Sequence, residues 1–285
     1  LSMAKRRFIA PERKTVAREV FEHPAFASYG DALDLLRMED WPSLDLLNSR
    51  GNHLRHAQTG RVMRFVAQTD GLLDDGMHYE TRIHSRGEIP TRLENWHDLL
   101  NAMIWLRWSA MKSALNQRQA DDVARIGPRE RTRAQCALTH FDEAGVAVRL
   151  CDDAALAHWD AHDWPMLGQR LHAEPEAMRV IVFGHAVLEH ALDPSRLLVG
   201  KAMLIRAQSD VTDAAWMAGI ADAIACGGVL NDPLELRPLP LAVLPGWHAQ
   251  CSEEAFLRSA PCFQPLRDGR HYPLPMSFSP PVSVR

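Results

Sequence analysis

The stretch YETRIHSRGEIPTRLENWHDLLNAMIWLRWSAMKSALN, Tyr79 to Asn116, carries the reading on which the fold turns. From about Leu93 to Asn116 the apolar residues Leu99, Leu100, Met103, Ile104 and Leu106 recur at helical spacing, so the segment reads as one amphipathic helix. Pro90 precedes it, and Thr91 or Asn95 is placed to cap its first turn. On such a helix Glu94, His97, Asp98 and Asn101 stand at i, i+3, i+4 and i+7 and share one face. A polar face of this composition, backed by apolar cover, reads as half of a site.

Upstream of this helix, RVMRFVAQ (Arg61–Gln68) and HYETRIH (His78–His84) have the alternating, β-branched character of strands, and TDGLLDDG at Thr69–Gly76 joins them as a turn. Pro11–Phe26 and Asp31–Asn48 read as short helices, the second interrupted at Trp41-Pro42. Downstream, Cys136–Phe141 and Val146–Leu150 suggest a hairpin around Asp142–Gly145. Glu174–Leu192 fits either a helix or a buried strand at Val180–Phe183 that feeds a helix, and both leave His185–Leu192 helical. Lys201–Ala207 reads as a strand, and Asp213–Cys226 as a helix stopped by Gly227 and Gly228.

Ten of the 18 prolines lie at or beyond Pro233, which rules out long regular elements there, while the Leu, Val, Trp and Phe among them imply a segment packed on the body. Disorder is expected only from about Ser277. The strand candidates are unevenly spaced, which disfavours regular βα units. The expected architecture is therefore α+β: a helix-rich single domain with a small, mostly antiparallel sheet and a Pro-rich C-terminal wrapping segment. Its expected divisions are a helical lead-in over 1–60, a core carrying the site over 61–230, and the extended segment over 231–285.

With 46% hydrophobic and 24% charged residues the chain can bury a large core, so disorder is not the default. A net charge of −4 gives no global attraction to nucleic acid or anionic membranes. The basic run Lys5, Arg6, Arg7, Arg13, Lys14 and Arg18 is broken by Glu12 and Glu19 and reads as a solvated face, with an anion-binding arm as the alternative. Leu1 and Ser2 are set aside, a natural chain being expected to begin at Met3. No apolar run reaches membrane-spanning length. The five cysteines include no CxxC pair and suit free thiols in a reducing cytoplasm.

FGHAVLEHAL places His185 and Glu189 at i, i+4, a spacing that delivers an imidazole and a carboxylate to one ion or one substrate. The order differs from HExxH and from HxxEH, so this is not a zinc-protease motif. His97 and Asp98 have the types of a ligand set, or of a general base with its orienting carboxylate, although neighbours on a helix diverge by about 100°. Arg82, Arg92, Asn101 and Lys201 are placed to hold an anionic or polar substrate group. Each motif also has a structural reading: a hydrogen-bonded pair, a dipole-stabilised first-turn acid, turn chemistry at Asp142-Glu143, surface ion pairs. HWDAHDW (His158–Trp164) lacks the HxHxDH order of binuclear hydrolases, and pairing Cys136 with His140 or Cys251 with His248 rests only on nearness in sequence.

GEIPTRLENWHDLLNAMIW, ALTHFDEAG (Ala137–Gly145) and FGHAVLEHAL (Phe183–Leu192), in this order, resemble the signature segments of a bacterial family, domain of unknown function 3025. The resemblance runs from about Tyr79 to the LPGW at Leu244–Trp247 and implies a soluble bacterial protein, without an activity or cofactor. Absence of GxGxxG, P-loop and GxSxG motifs removes ordinary dinucleotide, Walker-type and α/β-hydrolase readings. The expected function is a cytoplasmic hydrolase or lyase working through His97, Asp98, His185 and Glu189. One divalent metal (Zn, Mn or Fe), held by His97, His185 and Glu189, is its candidate cofactor. Its rivals are a non-catalytic ligand- or partner-binding protein and, more remotely, a nucleic-acid-associated protein.

Overall fold

In the computed structural model, which describes residues 8–278, the chain enters through three 3-10 turns, Arg13–Thr15, Arg18–Glu22 and Pro24–Leu33, in place of the helix expected over 11–26. Helices α1 (Asp34–Arg37) and α2 (Leu44–Arg50) follow, parted at Trp41-Pro42 where proline disfavours helix. Strand β1 (Arg64–Ala67) and helix α3 (Asp70–Leu73) lead to α4 (Tyr79–Arg86), which replaces the expected strand over 78–84. His78 caps α4, its Nδ1 accepting from the Glu80 amide at 3.3 Å, and Gly87 ends it at φ 69°, a left-handed stop. Strand β2 (Glu88–Thr91), unforeseen, pairs in parallel with β1, with Phe65 opposite Ile89.

The expected single helix is two, α5 (Trp96–Arg107) and α6 (Ser109–Ile126), broken at Trp108 (φ −126°, ψ 45°). Asn95 caps α5 by accepting from the Asp98 amide at 3.1 Å. Glu94, at φ 53°, stands outside the helix and so leaves the polar face. The expected hairpin is helix α7 (Arg133–Ala144) running directly into strand β3 (Gly145–Leu150). Thr132 and Gln135 form the capping box that starts α7, and this local helix signal outweighs the apolar alternation read as a strand.

Beyond β3 come α8 (Asp153–Asp160), α9 (Trp164–Ala173), β4 (Met178–Val182), α10 (His185–His190), β5 (Val199–Arg206), α11 (Asp213–Ala225), β6 (Arg237–Pro240), α12 (Glu254–Ser259) and β7 (Met276–Ser277). Strand order is β4-β3-β5-β6, with β7 also pairing β5. The sheet is mixed rather than mostly antiparallel: β3–β4 and β5–β6 run antiparallel, β3–β5 and β5–β7 parallel. β3 and β5 run parallel because the chain between them reverses twice, through α8 and α9 into the antiparallel β4 and back through α10. β3 is buried along its whole length, as a central strand covered on both faces must be.

Helices hold 50% of the residues and strands 13%, so the fold is α+β and helix-rich. One buried cluster runs from Phe21 to Phe263 and takes in Trp105, Trp159 and Trp216, each without exposed surface to speak of. Burying a large apolar side chain contributes about 1.5–3 kcal/mol, so these rings tie distant segments firmly. HWDAHDW serves the C-terminal segment: Asp160 pairs with Arg237 at 2.6 Å, and His162 bonds Gln264 O at 3.0 Å and the Tyr272 hydroxyl at 2.8 Å. Of the tail expected to be disordered, Ser277 closes β7 and the Phe278 amide donates to Arg206 O at 2.9 Å, while residues 279–285, like Lys5, Arg6 and Arg7, lie outside the described residues. Among the described residues no helix is long and apolar enough to cross a membrane, and all five cysteines are unpaired.

Candidate functional site

His97 stands in the first turn of α5, half-buried, with Nδ1 3.0 Å from Oε2 of Glu189 on α10. His185 opens α10, and its position is fixed by backbone rather than by side chains. The Phe183 and Gly184 amides both donate to Gly145 O, at 2.9 and 2.8 Å. A Cβ on Gly184 would stand 2.5 Å from both Glu143 O and Gly145 N, so only glycine permits this approach. The junction sets His185 beside the last turn of α7, where Asp142 and Glu143 project.

Four separate elements now converge. The His97 and His185 rings lie edge to face, centroids 4.2 Å apart. His185 Nε2 is 3.4 Å from Glu143 Oε2, and its Nδ1, buried without a hydrogen-bond partner, faces Asp142 Oδ2 at 3.9 Å. Lys112 of α6, itself buried, pairs with Asp142 Oδ1 at 2.6 Å. Each imidazole therefore has a carboxylate behind Nδ1, Glu189 for His97 and Asp142 for His185.

The electrostatics follow from these contacts. The Glu189 hydrogen bond holds the His97 pKa above its ordinary value despite burial. The His185 contact holds Glu143 below the usual carboxylate range. Burial would raise Asp142, but Lys112 and His185 more than offset it, and the carboxyl is held low. Glu80, on α4, goes the other way: burial and repulsion from Asp142 push it up to about 7, against the opposing Asn116 hydrogen bond and Lys112 charge. Asn116 donates to Glu80 Oε2 at 2.6 Å, and its Oδ1 accepts from His56 Nε2 at 3.1 Å, which places the proton of that imidazole on Nε2.

Around the imidazoles stand the carboxylates of Glu189, Glu143 and Asp142; Lys112 pairs with Asp142, and the charge of Arg92 acts on Glu189. Potential ligand atoms of His97, Glu143 and His185 all lie within 4.8 Å of one another, the one such group among the described residues. Direct ligation at about 2.0–2.1 Å puts tetrahedral ligand atoms roughly 3.3 Å apart, so side-chain rotation of about an ångström would close the set.

The structure brings together His97, His185 and Glu189 and turns the other expected residues elsewhere. Asp98 is taken up by Arg92, whose Nη2, Nε and backbone amide donate to it at 2.8, 2.9 and 2.6 Å; from there Asp98 acts on His97, and Arg92 on Glu189, through charge alone. Arg82 is buried and committed to Asp75, Glu88 at 3.1 Å and Leu72 O at 2.7 Å, because α4 is a helix and points it at the preceding loop. Asn101 donates to the Tyr79 hydroxyl at 3.3 Å, while its Oδ1 stays buried without a partner. Lys201, on β5, acts on His140, whose pKa is lowered by burial first and by Lys201 second.

Glu143, Asp142, Lys112 and Glu80 were not among the expected site residues. Asp142 and Glu143 read as turn acids only because their segment read as a hairpin; the Thr132–Gln135 capping box was the signal that puts them on a helix end. The set that faces the imidazoles thus has Glu143 where the ligand triad was expected to hold Glu189.

Fold and cluster define a helix-rich α+β protein whose polar centre lies between two helices and a helix–strand junction. The chain belongs to the family described as Protein of unknown function (DUF3025), whose model matches residues 63–267 and so encloses every member of the cluster. No curated protein and no solved structure gives a significant match.

Proposed function

We propose that this chain is a divalent-cation-dependent enzyme, a hydrolase or lyase, with the cation held by His97, Glu143 and His185. The observation that carries this is the geometry of the donors: ligand atoms of His97, Glu143 and His185 lie within 4.8 Å of one another, with Glu189 and Asp142 behind the two Nδ1 atoms. Glu189 then holds His97 Nδ1 from outside the ligand set and leaves Nε2 to ligate, as a second carboxylate commonly orients a metal-binding imidazole. Asp142, anchored by Lys112, stands in the equivalent place behind His185. Two nitrogens and a carboxylate suit zinc, manganese or iron. A cation in such a site polarises a carbonyl or phosphoryl oxygen and supplies a nucleophile at neutral pH. The unpaired cysteines support a reducing compartment, the cytoplasm.

Purification without chelator followed by elemental analysis tests the reading. About one transition-metal ion per chain is expected, falling to background in His97→Ala and His185→Ala while both variants keep their circular-dichroism spectrum. A folded wild-type chain that neither carries nor takes up zinc, manganese or iron would instead leave the cluster to a non-catalytic binding protein.

A further inference from the structure

Part of the basic N-terminal run converges on a cavity. Arg13, Lys14 and Arg18, joined by Arg37 from α1, line a space of about 390 Å³ whose apolar wall includes Phe21 and Trp96. Glu39 is the one carboxylate residue on that wall. Among the described residues Lys14, Arg18 and Arg37 make no ion pair. Arg13 is held rigidly: it donates to Leu35 O at 2.8 Å and Met38 O at 2.9 Å and is sandwiched between Trp41 and Trp96, 4.7 and 5.0 Å from the ring centroids. Its Nη1 is buried without an acceptor, and Asp40 offsets its charge only from a distance.

We propose that this cavity binds a small phosphate-bearing molecule, its anionic group met by Arg13, Arg18 and Arg37 and its apolar part by Phe21 and Trp96. Guanidinium forks match phosphate oxygens in pairs, and a fixed Arg13 has already lost the side-chain entropy that a mobile cation would lose on binding. The volume lies in the range of small-molecule sites. A nucleic-acid strand would need cations in a stripe along its backbone, and Glu12, Glu19 and Glu22 interrupt any such stripe here. The larger cavity of about 470 Å³ at Tyr29 is less cationic: Arg50, His53 and Arg107 share it with Asp31, and Arg107 is tied to Ser28 O at 3.0 Å. The phosphate site uses none of the cation ligands, although Trp96 and His97 are neighbours on α5, so it stands independently of the enzymatic reading.

Calorimetric titration of the full chain at low ionic strength, with EDTA present so that no cation can capture the probe, tests it with inorganic phosphate and pyrophosphate. Saturable binding of one anion per chain is expected, weakened at least about tenfold by R18Q/R37Q at two exposed positions and unchanged in R50Q/R107Q and in His97→Ala. Equal binding in R18Q/R37Q, parallel loss in R50Q/R107Q, or no saturable heat would overturn the proposal. So would tight, steeply salt-dependent binding of a single-stranded oligonucleotide that neither phosphate nor pyrophosphate displaces, since that marks a nucleic-acid surface.

Discussion

Two charged clusters draw on the same stretch, Tyr79–Asn116, and they are built on opposite principles. Around Arg82, the charges compensate one another: a buried guanidinium meets Asp75 and Glu88, which meet the exposed Arg86 at 2.9 Å and Arg64 at 2.7 Å. Both carboxyls are held below their usual range, Asp75 first by the Met77 amide and Glu88 first by Arg64. Around His97, two imidazoles stand among the carboxylates of Glu189, Glu143 and Asp142, and burial with repulsion from Asp142 pushes Glu80 up to about 7. Burial of charge alone therefore says little about function. What separates the clusters is whether the carboxylates face permanently charged guanidinium groups or imidazoles that can titrate and ligate.

The comparison breaks most readily at Arg82. Arg82→Met should lower stability by about 3 kcal/mol, since it removes the buried guanidinium shared by Asp75, Glu88 and Leu72 O and leaves each carboxylate only its exposed arginine, and urea unfolding would measure it. Removing a carboxylate from the other cluster should act on ligand rather than fold: Glu189→Gln is expected to weaken zinc or manganese binding roughly tenfold with little change in unfolding midpoint. If the midpoint drops as far as in Arg82→Met, the two clusters are alike and both structural.

Glu80 sharpens the contrast through pH. Its folded pKa of about 7 lies above the ordinary value of 4.5, so the folded chain holds a proton that the unfolded chain has released. Stability should consequently fall as pH rises from about 4.5 to about 7, by at most about 1.4 kcal/mol per pH unit for one proton, and level off above. Glu80→Gln removes this decline, and unfolding curves of both proteins across that window would show the difference vanish if Glu80 is not protonated. Least affected should be Arg64→Ala: its side chain is 63% exposed, and the loss is expected to stay within about 0.5 kcal/mol.

Spacing within single helices was more legible in the sequence than the type of the elements between them. Helical spacing put His97 and Asn101 on one helix and His185 and Glu189 on another, because side-chain periodicity is local and survives any tertiary arrangement. Two strand readings failed for a shared reason: apolar alternation over six or seven residues fits either element, and the caps that decide it, His78 with Gly87 and Thr132 with Gln135, lie at the segment edges. Misreading α7 as a hairpin hid Glu143. The Arg92 contact of Asp98 was not legible, since a first-turn acid cannot reveal that an arginine six residues earlier will fold back onto it. Neither Lys112 nor Glu80 carried a local signal, as their environment comes entirely from packing between helices.

The bare backbone contact between Gly145 and Gly184 also sets an order in time. His185 meets Glu143 only once β3 and β4 have zipped, and the bond from His97 to Glu189 closes a separation of 92 residues. Loops of that length close slowly relative to helix growth, which needs only neighbours. During refolding, the helical signal should hence appear well before the imidazoles meet, and the polar centre should be among the last parts of the molecule to exist.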